Sequence, residues 1–238
     1  MSSSDPLDTP VAILAGGLAT RMRPLTDGQP KALIEIAGRP FVEHQLELLR
    51  KNGLSRVVLL VGYRAEAIEA RLGDGKTLGL EIRYSKDGER LLGTAGALRR
   101  AAPLLGERFF VLYGDSYLDV DYRGILDAAL ASRAPALMTV YRNGGRHETS
   151  NVLFEDGRLL AYDKRAPRAE MRHVDFGLGV LHHSLLARVP AGEPSDLADL
   201  YAALAAEGLL AGYEVPRRFY EIGSPAGLAE TRALLERR

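Results

Sequence analysis

Residues Val11 to Leu33 read VAILAGGLATRMRPLTDGQPKAL. Val11 to Leu14 form an apolar run short enough for a buried strand and too short for a helix of its own. The pair Gly16-Gly17 follows at once, Arg21 and Arg23 come soon after, and Pro30 presents Lys31 before a second apolar run, Ala32 to Ile36. A strand that breaks into a loop of small residues turns its backbone N–H groups toward an anion, because no Cβ bars the approach. Arginine forks onto phosphate oxygens, and lysine adds a movable point charge. Glycines alone would mark only a tight strand exit. With the basic residues added, the loop reads as a polyphosphate site. It fits neither G-x-G-x-x-G nor G-x-x-x-x-G-K-[ST].

Outward from this loop, the chain alternates strand and helix patterns. Ala32 to Ile36 reads as a short strand, and Ala37 to Pro40 as a turn opening a helix with Val42, Leu46 and Leu49 on one face, stopped by Asn52-Gly53. Arg56 to Gly62 is nearly all apolar, as in a buried parallel strand, and Ala65, Ile68 and Leu72 repeat at helical spacing up to Gly73. Gly73 to Thr77 ends like a P-loop, but a helix pattern precedes it and Ala70 stands where the first glycine belongs, so it reads as a surface turn before strand Glu81 to Tyr84.

Glu89 to Gly96 reads as a loop in which Thr94 caps a helix through Leu98 and Ala102, with Gly93 and Gly96 allowing close approach to a flat ligand. Phe109 to Asp115 is a strand ending in Gly114-Asp115, and a carboxylate beyond the carboxyl end of a parallel strand is well placed for a ligand. Asp119 and Asp121 read as solvated turn residues. After a strand at Ala136 to Tyr141, Arg142 to Ser150 reads as a mobile loop over the site, and a hairpin turns at Glu155 to Arg158. Leu197 to Leu204 form a helical face capped by Ser195 or Asp196. His173, His182 and His183 suit packing or surface positions better than a metal set.

Composition narrows the class. At 238 residues, 46% hydrophobic and 26% charged, the chain can bury a sizeable core. Zero net charge gives no basic field for nucleic acid, and no apolar run reaches membrane-spanning length. The absence of cysteine excludes disulfides and thiolate chemistry. The first residues, MSSSDPLDTP, lack a signal pattern, so a cytoplasmic location is expected, with residues 1–9 disordered and 10–238 forming one domain.

The opening stretch resembles the signature of the sugar-1-phosphate nucleotidyltransferases, L-x-G-G-x-G-T-R-[LM]-x-P-L-T followed by P-K. The matching residues are Leu14, Gly16, Gly17, Thr20, Arg21, Met22, Pro24, Leu25, Thr26, Pro30 and Lys31, with Ala19 where glycine is usual. Glu89 to Gly96 resembles the family's E-x-P-L-G-T-A-G segment, with Leu91 for proline. The resemblance implies an α/β fold: a Rossmann-like, mixed and mostly parallel sheet flanked by helices, with a small β-rich sugar-binding region around 142–182. It also implies that Arg21 and Lys31 are catalytic, and that Leu14, Ala15, Gly16, Gly17, Thr20, Glu89, Gly93 and Thr94 bind nucleotide. Asn151, Asp163, Lys164, Asp175 and Gly177 would line the sugar phosphate site. In this reading Asp163 replaces the glutamate of a Glu-Lys pair and Asp175 an asparagine. Asp115 and Glu221 would hold Mg²⁺, Glu221 standing where relatives carry aspartate.

The reaction so implied joins an NTP to a sugar 1-phosphate, releasing pyrophosphate. The chain looks most like the compact guanylyltransferases for mannose 1-phosphate or D-glycero-D-manno-heptose 1-phosphate, so GTP is favoured. Uridylyl transfer, as onto N-acetylmuramate 1-phosphate, is the alternative within the family. A non-catalytic sugar-nucleotide sensor or partner subunit on the same fold is the alternative outside catalysis. Monomer and homo-oligomer stay equally open.

Overall fold

The computed structural model describes residues 7–17, 29–88, 90–145 and 148–237. Strand β1 (Val11–Leu14) leads through a short 3₁₀ turn, Lys31–Leu33, to the two-residue strands β2 (Glu35–Ile36) and β3 (Arg39–Pro40). Helix α1 (Phe41–Lys51), β4 (Arg56–Val61), α2 (Ala65–Leu72) and β5 (Glu81–Lys86) follow, then α3 (Gly93–Ala101), β6 (Arg108–Tyr113), β7 (Ser116–Tyr117) and α4 (Tyr122–Ser132). The second half comprises β8 (Ala136–Arg142), β9 (Val152–Glu155), β10 (Arg158–Tyr162), β11 (His173–His182), α5 (Leu197–Ala206), β12 (Leu210–Glu214), β13 (Tyr220–Glu221) and α6 (Pro225–Leu235).

β1 lies between β4 and β6, parallel to both, and β5 extends the sheet in parallel beside β4. β11 turns antiparallel against β6 and β8, β12 runs parallel to β8, and the hairpin β9–β10 joins through β9. The result is the mixed, mostly parallel sheet flanked by helices that the family resemblance implies. Its apolar strands are covered on both faces, and side chains alternate between them. Val11, Ile13, Val57, Leu59, Phe110 and Leu112 pack on the side of α1, α2 and α4. Ala12, Val58, Leu60, Phe109 and Val111 pack on the side of α3 and α5. A smaller cluster, including Phe41, Leu48, Ile222 and Leu228, seats α6 against α1.

Several expectations change. Ala32 to Ile36 is not one strand: Leu33 N–H donates to Pro30 O and Ile34 N–H to Lys31 O, so the segment coils once before β2. Residues 7–9 are not disordered. Leu7 is buried, bridges Leu54, and donates its N–H to Gly53 O at 3.0 Å, while Asp8 pairs with Arg56. The apolar side chain at Leu7 outweighs the polar character of its surroundings; residues 1–6 lie outside the described set. Asp121 is more than a solvated turn residue, because its carboxylate caps α4 by accepting from Gly124 N–H.

β11 parts from β6 at one point. Leu178 to His182 pair with β6, but the register against β8 shifts between Asp175 and Gly179, and His173 pairs with both Arg142 of β8 and Val152 of β9. Gly177 sits in this bend at φ +90°, a left-handed backbone conformation that glycine tolerates. The sheet therefore forks beyond the end of β6, and the fork opens a cleft.

Gly114 closes the other side of that fork. Its N–H donates to Leu14 O at 3.1 Å, and a Cβ built on it would lie 2.5 Å from that same oxygen. Gly114→Ala should force the ends of β1 and β6 apart and cost about 1–3 kcal/mol in urea unfolding. Gly106→Ala, whose Cβ would meet nothing closer than 3.6 Å, should stay within about 0.5 kcal/mol of the parent. Equal unfolding midpoints for the two variants would refute this account.

Candidate active site

The cleft has a volume of about 750 Å³ and lies over the carboxyl ends of β1, β4, β5 and β6, where open parallel sheets place their ligands. Leu14, Ala15, Gly16 and Gly17 form its floor. Ala15 N–H donates to Leu60 O, which carries the β1 exit close to the β4 exit. Gly16 is constrained by that approach, since its Cβ would lie 3.3 Å from Gly62 N. A Cβ on Gly17 would meet nothing within 4 Å, so this glycine opens toward the cleft. Thr20 and Arg21, from the same loop, lie outside the described residues, as does Glu89.

Facing this floor, Lys31 Nζ donates to Asp115 Oδ2 at 3.0 Å. The strand-end position of Asp115 follows from the β6 pattern, whereas Lys31 arrives on the 3₁₀ turn after Pro30. Glu221 comes from β13, which pairs with β7 directly after Asp115. Its carboxylate folds over the start of α6, accepting from Gly223 N–H, from Ser224 N–H at 3.0 Å and from Ser224 Oγ–H at 2.6 Å. These donors offset its charge, as does the positive end of the helix. A Cβ at Gly223 would lie 2.8 Å from Glu221 Oε2, 3.0 Å from Asp115 Oδ2 and 3.6 Å from Lys31 Nζ. Lys31, Asp115 and Glu221 thus meet around one point, although they are far apart in sequence. The extra methylene of glutamate is accommodated because Gly227 has no side chain; a Cβ there would overlap Glu221 Oε1.

Two carboxylates on one rim suit a hard divalent cation that keeps waters or shares phosphate oxygens. The donor set fits Mg²⁺ in chemistry, and Asp115 and Glu221 are the residues that would hold it.

On the opposite wall stand Asn151, Lys164, Asp175 and Gly177. Asp175 is held from several sides. Its Oδ2 accepts from Tyr113 Oη–H at 3.2 Å and Tyr162 Oη–H at 3.5 Å, its Oδ1 from Gly177 N–H at 2.9 Å, and its own N–H donates to Asn151 Oδ1 at 3.0 Å. Burial pushes its carboxyl above the usual range, against the pull of those donors and of Lys164. Burial and the adjacent carboxylate likewise push the Tyr113 hydroxyl well above its ordinary value. Glu148, open to solvent at the cleft mouth, is also raised, by partial desolvation and then by the carboxylates of Glu221 and Asp115.

One expected site residue stands apart from the cleft, and a second lines it without its expected cap. Asp163 lies outside the cleft lining; its Oδ1 accepts from Arg165 N–H and Ala166 N–H and braces the turn after β10. Those bonds hold its carboxyl below the usual range. Thr94 lines the cleft but does not cap α3, which starts at Gly93; its hydroxyl donates to Asp196 and accepts from Leu197 N–H. Gly93 and Gly96 make room chiefly for protein backbone, since their Cβ atoms would lie 2.6 Å from Ser195 O and 2.7 Å from Glu193 O. Ser195 O in turn accepts from Ala95 N–H and Gly96 N–H.

Sequence reasoning missed Asp87, Glu148, Tyr113 and Arg218, all on the cleft. Asp87 ends β5 as Asp115 ends β6, a parallel that could have exposed it. Its carboxyl is raised by burial and accepts from Leu92 N–H. Arg218 pairs with Glu230 and lies 4.7 Å over the Tyr220 ring. No short-range pattern marks Glu148 or Arg218.

The family described as nucleotidyl transferase matches residues 11–151. A mannose-1-phosphate guanylyltransferase of Mycobacterium tuberculosis is 31% identical over 90% of this chain and 60% of its own length. The chain therefore spans about 60% of that relative. An N-acetylmuramate alpha-1-phosphate uridylyltransferase of Caulobacter vibrioides is 33% identical, covering 94% of this chain and 96% of its own. Among solved structures, HddC from Yersinia pseudotuberculosis complexed with GMP-PN superposes with a TM-score of 0.78 at 21% identity, over 95% of this chain and 99% of that one. The inositol-1-phosphate CTP transferase from T. maritima gives a TM-score of 0.79 at 23% identity, over 95% and 94%. These structures establish the likeness of fold.

The raised carboxyl of Asp175 has a consequence for stability. An acid whose folded value lies above its unfolded one favours folding while protonated, and that contribution is lost as pH rises through the folded value. Asp175→Asn removes this loss. Its unfolding free energy relative to the parent should therefore improve between about pH 4 and about pH 7. Urea unfolding of both proteins at the two pH values measures this, and a flat or falling difference would contradict it.

Proposed function

Because the chain belongs to the nucleotidyl transferase family and is related to sugar-1-phosphate nucleotidyltransferases, we propose that it transfers a nucleoside monophosphate from an NTP, with GTP favoured, to a sugar 1-phosphate. A phosphate oxygen of the sugar 1-phosphate attacks the α-phosphorus of the NTP. The bond to the β-phosphate breaks, and pyrophosphate leaves with the electron pair. The attacking oxygen is already ionised, so the step needs no general base.

The meeting of Lys31, Asp115 and Glu221 around Gly223, opposite Gly17 and within the same cleft as Lys164, carries this reading. Two anions have to approach each other, which requires cations aimed at the reacting phosphates and a fixed in-line geometry. Lys31 neutralises the α-phosphate as charge develops, and Lys164 anchors the sugar phosphate. The Gly16-Gly17 segment and Arg21 hold the triphosphate and the departing pyrophosphate. Bound between Asp115 and Glu221, Mg²⁺ would supply further charge to offset the phosphate oxygens. Asn151 and Asp175 orient the sugar, and the Gly93–Thr94 edge borders the nucleotide. We place the protein in the cytoplasm as one catalytic domain.

Uridylyl transfer is the second reading, favoured by the near full-length match to the Caulobacter relative. A non-catalytic sensor on the same fold is the third, favoured by the three donors that already engage Glu221.

Pyrophosphate release across the common NTPs, each with a panel of sugar 1-phosphates and Mg²⁺, tests all three. The expected result is one preferred pair with a guanine nucleotide, activity lost on chelation, and kcat/KM lowered about 10²–10³-fold by Lys31→Ala. A UTP preference would transfer the case to the second reading. Silence throughout, with nucleotide sugar still bound, would establish the sensor and end the catalytic reading.

A further inference from the structure

Counted over the described residues, the sugar end of the cleft carries more negative charge than the proposed reaction needs. Asp175 and Glu148 line it. Lys164 opposes them, but the proposed reaction gives that ammonium to the sugar phosphate. Lys31 is paired with Asp115, and Arg218 with Glu230. Among the described lining residues, no cation is left over for the body of the sugar.

Resting on the transferase reading, we propose that this cleft selects a hydroxyl-rich sugar 1-phosphate bearing no carboxylate, and that Glu148 and Asp175 are the residues that exclude acidic sugars. The chemistry of the two side chains supports this. An ionised carboxylate only accepts hydrogen bonds, and it offers about four acceptor sites. Asp175 uses three of them, for Tyr113, Tyr162 and Gly177, leaving one for a sugar hydroxyl. Among the described residues, no hydrogen bond to another side chain engages the Glu148 carboxylate, which stands at the mouth. Its backbone oxygen is tied down by the Asn143 side-chain amide, so the loop presents the carboxylate from an anchored position. Hydroxyl-to-carboxylate bonds are charge-assisted and stronger than neutral ones. A sugar carboxylate in the same place would face two like charges, and like charges brought together across an interface are strongly disfavoured. A uronic acid 1-phosphate or N-acetylmuramate 1-phosphate falls in the excluded class. Neutral hexose or heptose 1-phosphates fall in the accepted one.

The test compares isosteric pairs with the best NTP: glucose 1-phosphate against glucuronate 1-phosphate and galactose 1-phosphate against galacturonate 1-phosphate, with N-acetylmuramate 1-phosphate added. The expected kcat/KM ratio favours the neutral member by about 100-fold or more. Glu148→Gln and Asp175→Asn should each shrink that ratio at least about fivefold, through gained turnover of the acidic member. A loss of folding would slow both members of a pair together and leave the ratio unchanged, so the ratio separates charge exclusion from damage. Equal or better use of an acidic sugar by the parent protein overturns the inference while leaving the transferase reading intact. So does a ratio that neither variant moves. Absence of pyrophosphate with every sugar, neutral or acidic, removes the transferase reading and this inference with it.

Discussion

The contact between Leu14 O and Gly114 governs the geometry of the cleft. β1 can lie parallel between β4 and β6 only if the strands leave the sheet together, and at that exit no room remains for a Cβ on Gly114. The constraint places Gly16-Gly17 and Asp115 on neighbouring strand ends. The fork of β11 away from β6 at Gly177 then supplies the far wall. Chain reversal, backbone hydrogen bonding and the absence of two side chains thus define the space before any charged group is considered.

Charge is distributed unevenly around this space. On one rim Lys31 and Asp115 neutralise each other while Glu221 is satisfied by backbone and hydroxyl donors at the start of α6. On the other, Asp175 is locked by two tyrosines and a glycine N–H at the cost of partial burial. Fixed acceptors and donors in a partly desolvated cleft need little reorganisation when substrate arrives. The same fixity makes the cleft selective, because a misplaced negative charge cannot be screened by moving the walls.

The helices serve this arrangement from outside. α3 and α5 are joined where Ser195 O accepts two N–H groups of α3 and Thr94 links to the start of α5. α6 is seated against α1 through Leu228, Phe41 and Leu48, which fixes the height of Glu221. Packing remote from the cleft is in this way transmitted to a single carboxylate.

The apolar strands at Val11, Arg56 and Phe109 and the helices between them were legible in the sequence, because burial on both faces and helical periodicity are local patterns. The family resemblance singled out Lys31, Asp115, Lys164, Asp175 and Glu221, and all five line the same cleft. Local pattern failed where partners come from afar. Leu7 is ordered because it reaches Leu54, and Thr94 serves α5 rather than its own helix. Asp163 turns away to brace its loop, and Glu148 lines the cleft although no neighbour in sequence marks it. The sequence by itself determined which segments could be strands, helices and phosphate loops, since those depend on neighbours a few residues away. Only the tertiary structure decided which carboxylates face one another, since that depends on strand order, on the bend at Gly177 and on contacts between residues far apart in the chain.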